Sequence, residues 1–216
     1  MAKMQSIRSR VAKRGKEPTG VHQFLIVLKG TDPLVWRRIQ VPEAYSFWDL
    51  HVAIQDAMGW LDYHLHEFRL TDPSGTLVSI GIPSDEESPD RPVLPGWEIR
   101  LASFFERSGW HAPPAMYAYD FGDDWEHAIV HEGMLMAEAS TSYPRCLAGA
   151  RRCPPEDCGG VHGYGEFLQA IADPTHPDHE EMRAWAGTFD PNDFTPARVK
   201  FDDPKKRWKK AFRDER

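Results

Sequence analysis

The stretch YDFGDDWEH, residues 119–127, sets three aspartates, a glutamate and a histidine between aromatic side chains. Carboxylates and an imidazole gathered near one tip can bind a metal ion or exchange a proton, and Asp120, Asp124 and His127 are the candidate trio. The same run has a plainer origin. Gly122-Asp123 between two alternating segments is the chemistry of a two-residue type II′ hairpin turn, and turn tips favour aspartate without any reaction. Both readings are open on the sequence.

Three further groups have ligand-like spacing. Cys146, Cys153, Cys158 and His162 form C-x6-C-x4-C-x3-H within the Pro- and Gly-rich YPRCLAGARRCPPEDCGGVHG. Four such donors suit tetrahedral zinc, which would staple a loop with few apolar residues of its own. The spacing is wider than a C-x2-C knuckle, and the other reading is three thiols that never meet. His64 and His66 share one face of an expected strand and could chelate a metal. That face continues through Phe68 and Leu70, which also suits buried, hydrogen-bonded histidines. His176 and His179 lie beside Asp178, Glu180 and Glu181, but acids in a first helical turn are favoured by the helix dipole alone. Zinc is the one cofactor these groups suggest. No G-x-S-x-G elbow, P-loop, dinucleotide fingerprint or H-E-x-x-H is present, and DFG stands without the rest of the kinase set. No nucleophile is nominated.

The elements that must position these residues follow from periodicity. VHQFLIVLKG is a near-continuous apolar run, as in a strand buried on both faces, and the alternating VWRRIQVP makes a hairpin partner. Phe47, Leu50, His51, Ile54, Ala57 and Met58 then recur at helical spacing. Ser46 with Asp49 forms a capping-box start and Gly59 a stop. LDYHLHEFRL returns to period two, TLVSIGI is a short apolar run, and MYAYDF and WEHAIVHE alternate. PSDEESPDRPVLPG reads as an exposed loop. Tyr164, Phe167, Leu168 and Ile171 share one face of a short helix, and His179, Met182, Trp185 and Ala186 one face of a second. Hairpins outnumber crossovers, so the expected class is α+β: a mostly antiparallel sheet, one central amphipathic helix and two short C-terminal helices.

At 216 residues the chain can bury one sizeable core, and no run is long and apolar enough for a membrane span or a secretory signal. A cytoplasmic protein is expected, and an odd count of three cysteines fits free thiols or metal ligands better than a disulfide framework. The net charge of -7 is uneven. Of 26 basic and 33 acidic residues, residues 1–16 hold six basic and no acidic ones, and residues 204–216 hold seven against two. The body between them is therefore strongly acidic and would repel phosphate backbones, so nucleic-acid contact is expected only from the ends. The expected layout is a flexible basic arm over 1–19, one domain over 20–203 and a basic, solvated tail over 204–216.

The segments LKGTDPLVWRRIQVPEAYSFWDLHVAIQDAMGWLDYHLHEF, YDFGDDWEH, YPRCLAGARRCPPEDCGG and GYGEFLQAIADPTHPDHEEM together resemble the plasmid pRiA4b ORF-3-like family over about residues 20–203. The resemblance implies an α+β fold of its own and an association with plasmids and mobile elements. It extends to an insertion-element passenger protein labelled a resolvase. Serine recombination needs a nucleophilic serine within an arginine cluster, and the nearest match, SIRSR with Ser6 and Ser9, lies outside the resembling region. The leading expectation is an accessory binding module for a protein or nucleic-acid partner. The alternative is a metal-dependent, hydrolase-like enzyme built on Asp120, Asp124 and His127.

Overall fold

Apolar residues crowd GVHQFLIVL, and this segment lies deep in the sheet. Strand β1 (Gly20–Leu28) pairs antiparallel with β2 (Val35–Pro42) on one side and β7 (Trp125–Met136) on the other. The computed structural model describes residues 19–72, 74–83, 92–105 and 113–212. The expected basic arm, apart from residue 19, and most of the acidic loop lie outside the described residues.

The remaining strands are β3 (His66–Thr71), β4 (Leu77–Gly81), β5 (Val93–Pro95), β6 (Ala115–Tyr119) and β8 (Arg145–Ala150). They complete one eight-stranded sheet in the order β5-β4-β3-β6-β7-β1-β2-β8. Every neighbouring pair is antiparallel except β4 with β5. The α+β class read from the sequence is the one observed.

Helix α1 (Phe47–Met58) begins and ends where its sequence says. Ser46 accepts from the Asp49 backbone N–H, the Asp49 carboxylate accepts from the Ser46 N–H at 2.9 Å, and Gly59 closes the helix in the left-handed region. Its buried Phe47, Leu50 and Ile54 join Phe24, Ile26, Leu28 and Ile39 of the sheet in one apolar core. Truncating Ile54 to alanine there would cost about 2–5 kcal/mol. One charge is also buried: Arg37 of β2 donates to the carbonyls of Ala57, Trp36 and Ala150, and its guanidinium lies 3.7 Å from the Phe194 ring centroid. These bonds tie the end of α1 to β8 and satisfy a group that would otherwise be costly to bury.

Helices α2 (Ala102–Phe105), α3 (Gly160–Ala172), α4 (His179–Ala186) and α5 (Pro204–Ala211) follow, with a 3-10 turn at Pro196–Arg198. Helices α3 and α4 are the two short helices expected from the spacing. Helix α5 corrects the reading of residues 204–212 as part of a solvated tail, and residues 213–216 lie outside the described residues. Asp203 caps it, and Arg207 donates to Asp56 at 2.6 Å. Trp208 and Phe212 lie against Trp97, and Phe212 also meets Trp48. The composition of this segment is basic, but one arginine and two aromatics dock it. Among the described residues no helix is long and apolar enough to cross a membrane.

Candidate functional site

Strands β6 and β7 close on the pair Tyr119 and Trp125, leaving residues 120–124 as their connection. The turn is not type II′. Asp120 and Asp124, not Gly122, take positive φ (58° and 53°), and the Asp124 N–H donates to the Asp120 carbonyl at 2.7 Å. The Asp120 side chain turns back on its own loop, with Oδ1 accepting from the N–H of Gly122 at 3.0 Å and of Asp123 at 3.3 Å. Aspartate tolerates the left-handed region because its short polar side chain satisfies nearby backbone donors. The motif therefore shapes a five-residue loop that buries one carboxylate.

Beside it runs the segment from Gly59 to Leu65, between α1 and β3. Asp62, at φ 61°, accepts from His51 Nε2 at 2.9 Å, while His51 Nδ1 lies 2.8 Å from the Tyr117 hydroxyl. Gln55 donates its amide to that same hydroxyl at 2.9 Å, so the phenol proton points to His51 Nδ1 and the His51 Nε2–H to Asp62. On the outer side the Tyr63 N–H donates to the Tyr119 hydroxyl at 3.1 Å, and Asp120 N–H to the Leu65 carbonyl at 3.0 Å. His64 is thereby held over the hairpin connection.

The cysteine-containing loop supplies the third wall. Trp60 Nε1 donates to the Pro154 carbonyl at 3.0 Å, and Leu61 N–H to Glu156 at 2.7 Å. The Gly159 N–H donates to Asp123 at 3.0 Å. Gly160 has φ 67°, and a β-carbon there would meet the Asp123 carbonyl oxygen at 2.4 Å, so only glycine permits this approach. Burial raises all three thiols, Cys158 to about 12 and Cys146 and Cys153 also upward, which keeps them protonated and poorly nucleophilic.

What converges is a set the sequence only partly marked. His64 Nε2 lies 3.5 Å from Asp120 Oδ2 and 3.1 Å from Asp157 Oδ1. Among the described residues these three form the one group of three or more His, Cys, Asp or Glu side chains whose ligand atoms all lie within 4.8 Å of one another. Cys146, Cys153, Cys158 and His162 are not brought together as such a group. Cys146 donates to the nearby Ala148 carbonyl from β8, and His162 is exposed beside Glu166. Asp124 is exposed, whereas His127 is fully buried with Nδ1 3.2 Å from the Tyr117 carbonyl, so that trio does not form a site. Desolvation lowers the His127 pKa to about 4.

The His64 and His66 pair is also separated. Strand β3 starts only at His66, whose ring lies in the core stacked on His51, while His64 belongs to the preceding loop. His179 Nδ1 bonds the Ala170 carbonyl at 2.8 Å, and His176 Nδ1 accepts from the Asp178 N–H at 3.2 Å. Both organise the start of α4. A cavity of about 530 Å³ beside it is lined by Asp157, Cys158, Glu166, His176, Asp178 and Trp185, so Asp157 stands between this cavity and the His64 group. Asp157, Glu156 and Asp62 were missed in the sequence because each stands beside a louder signal, the cysteines or the histidine pair. The usable clue in PPEDCGG was an acid just ahead of two glycines, where a tight turn is forced.

Four large apolar side chains on the same loops are exposed: Leu61 is 60% exposed, Tyr63 70%, Leu65 50% and Phe121 54%. They project from the two loops that the Asp120–Leu65 backbone bond joins.

The plasmid pRiA4b ORF-3-like protein family model matches residues 20–198. The uncharacterized protein y4hQ of Sinorhizobium fredii is 41% identical over 170 residues, covering 79% of this chain and 82% of that protein. The crystal structure of MM3350, a protein of unknown function from Methanosarcina mazei Go1, has a TM-score of 0.77 and 41% identity, covering 84% of this chain and 98% of that one. With the family match spanning the sheet, α1, the hairpin connection and the glycine-rich approach of α3, the chain belongs to the plasmid pRiA4b ORF-3-like family.

Proposed function

We propose that the protein is an accessory binding module that recognises a protein partner with the end of the sheet built from residues 59–65, 120–124 and 153–160. One observation carries this reading: Leu61, Tyr63, Leu65 and Phe121, each half or more exposed, sit on the same loops as a small polar group, loops fixed by part-buried hydrogen bonds. Exposed apolar clusters with a polar centre are the usual make-up of recognition surfaces, and aromatic anchors dominate their energetics. Pre-fixed loops reduce the ordering cost of binding. The acid-rich body disfavours a nucleic-acid backbone at this end.

The test is co-purification from the protein's own cells with wild type, L61S/F121S and, at the far end of β7, M136S. A partner held by wild type and M136S but lost in L61S/F121S supports the reading. A partner retained by L61S/F121S, or lost equally in M136S, contradicts it.

A second reading has its own observation. Trp48, Trp97 and Trp208 line a cleft of about 900 Å³ with Arg100, Lys205 and Lys209 on its walls. Aromatic faces beside cations suit single-stranded nucleic acid, bound by stacking and by counterion release. Asp49, Glu98 and Asp203 line the same cleft and oppose that attraction. Tryptophan fluorescence titration with a single-stranded oligonucleotide at about 50 and about 200 mM salt tests it. Binding that weakens with salt and in K205E/K209E would favour this reading, and absence of binding would remove it.

A further inference from the structure

We propose that His64, Asp120 and Asp157 are the protein ligands of a divalent transition-metal ion of the Zn2+ or Mn2+ class, held where three loops meet. This deepens the reading of that end as a recognition surface, although the ion would bind whether or not a partner does.

The geometry has three parts. His64 Nε2 is buried and lies 3.1 and 3.5 Å from two carboxylate oxygens, yet it makes no hydrogen bond to either. Asp120 is only 6% exposed, and its two backbone donors both occupy Oδ1. Oδ2 is left directed at His64 with no hydrogen bond of its own. A buried imidazole nitrogen and one oxygen of a largely buried carboxylate thus lie 3.5 Å apart without a hydrogen bond between them.

The separations also fit an ion. Two ligands each about 2.0–2.2 Å from a common centre, at a tetrahedral angle, lie about 3.4 Å apart. The observed 3.1 and 3.5 Å bracket that spacing. One imidazole with two carboxylates is a borderline-to-hard donor set, which suits Zn2+, Mn2+ or Fe2+. Ca2+ and Mg2+ favour all-oxygen shells, and no thiolate is in the set to select a softer ion.

The support around the ligands belongs to the fold. Asp120 is held by the hairpin connection, Asp157 sits at φ 54° in the loop anchored by Glu156, and His64 rides on the segment fixed through Asp62. Three ligands leave coordination positions open. A donor side chain of a partner bound at the surface carrying Leu61, Tyr63, Leu65 and Phe121 could complete the shell. Binding of the ion would fasten the loop at 153–160 to the hairpin connection and offset two carboxylate charges.

The experiment is calorimetric titration of tag-free, chelator-stripped protein with ZnCl2, MnCl2 and CaCl2, using metal alone. Expected are one Zn2+ or Mn2+ per chain, Ca2+ binding about tenfold weaker or more, and a loss of about tenfold or more in H64A and in D157N. C146S and H162Q should bind as wild type does. Asp157 is exposed, so the melting temperature of metal-free D157N should match wild type, which separates lost ligation from lost folding. No binding of either Zn2+ or Mn2+, affinity unchanged in H64A and D157N, or affinity lost in C146S or H162Q would overturn the site. Any of these would leave the partner reading standing, since that is tested by co-purification and the L61S/F121S pair.

Discussion

His51 and His66 stack face to face in the core, their ring centroids 3.5 Å apart and their planes 8° from parallel. Burial, and then the neighbouring His51, push the His66 pKa well below its ordinary value. His22 and His131 form a second pair, tilted rather than stacked and joined by a hydrogen bond of 3.1 Å between ring nitrogens, with desolvation lowering both, His131 to about 4. Burial thus favours the neutral form of His22, His66, His127 and His131.

Stability should therefore fall on acidification. For a histidine with a lowered folded-state pKa the unfolded chain takes the proton first. Its stabilising contribution is complete above about pH 6.5, and is lost as pH drops from there toward about 4 for His127 and His131, with His22 and His66 adding in the same direction. His127 alone would account for about 3 kcal/mol. Burial raises the carboxyls of Asp56 and Glu156, so those two oppose the trend. Urea denaturation between about pH 7.5 and pH 4.5 checks this, and a flat profile would be inconsistent with it.

The hairpin connection rests on Asp120 rather than on Gly122. D120N keeps an acceptor oxygen and the tolerance for positive φ, and should cost less than about 1 kcal/mol. D120A loses both and should cost about 1–3 kcal/mol. Equal losses in the two variants, measured by urea denaturation, would show that the turn does not depend on this side chain.

Two glycines of α3 should behave oppositely. Gly160 is at positive φ, with the Asp123 carbonyl where a β-carbon would go, so G160A should destabilise by more than about 1 kcal/mol. Gly165 has open space around it within the helix, and G165A should stabilise by about 0.5–1 kcal/mol. Thermal melts of the two variants read the contrast directly.

Arg207 fastens α5 to the domain through Asp56, with Asp62 3.6 Å away and Asp202 also paired. R207A should leave the largely buried Asp56 side chain without its cation, costing about 3–5 kcal/mol. It should also release α5, making Trp208 more accessible to acrylamide quenching. Unchanged quenching would mean that the aromatic contacts alone hold the helix.

The sequence made α1 legible almost to the residue, because Ser46, Asp49 and Gly59 act locally and its apolar positions keep one period. Strands β1, β2, β3, β6 and β7 were legible from local alternation or apolar runs, whereas β5 fell in the stretch read as an exposed loop and β8 in the Pro- and Gly-rich cysteine segment, where only pairing with a distant strand makes a strand. The site was less so. Gly122-Asp123 has the composition of a type II′ turn, but the backbone places its positive φ on the flanking aspartates, where side-chain acceptors decide. The alternation of LDYHLHEFRL suggested that His64 and His66 share a face, and a loop fixed by Asp62 broke that pattern. Asp157 reaches His64 across some ninety residues of sequence, a separation that no spacing rule covers. Helix α5 was hidden similarly, since Asp56 and Trp97, which hold it, are far away in the chain.

The central claim, that the loops carrying the exposed Leu61, Tyr63, Leu65 and Phe121 are the surface that meets a partner, is tested most directly by photo-crosslinking. A photoreactive residue is placed at position 63, at position 121 and, as a distant control, at position 136, and the products formed in the protein's own cells are mapped by mass spectrometry. The account expects the same partner joined at 63 and 121 and absent at 136. Crosslinks of equal yield at 136, or none at 63 and 121 where 136 gives one, would contradict it.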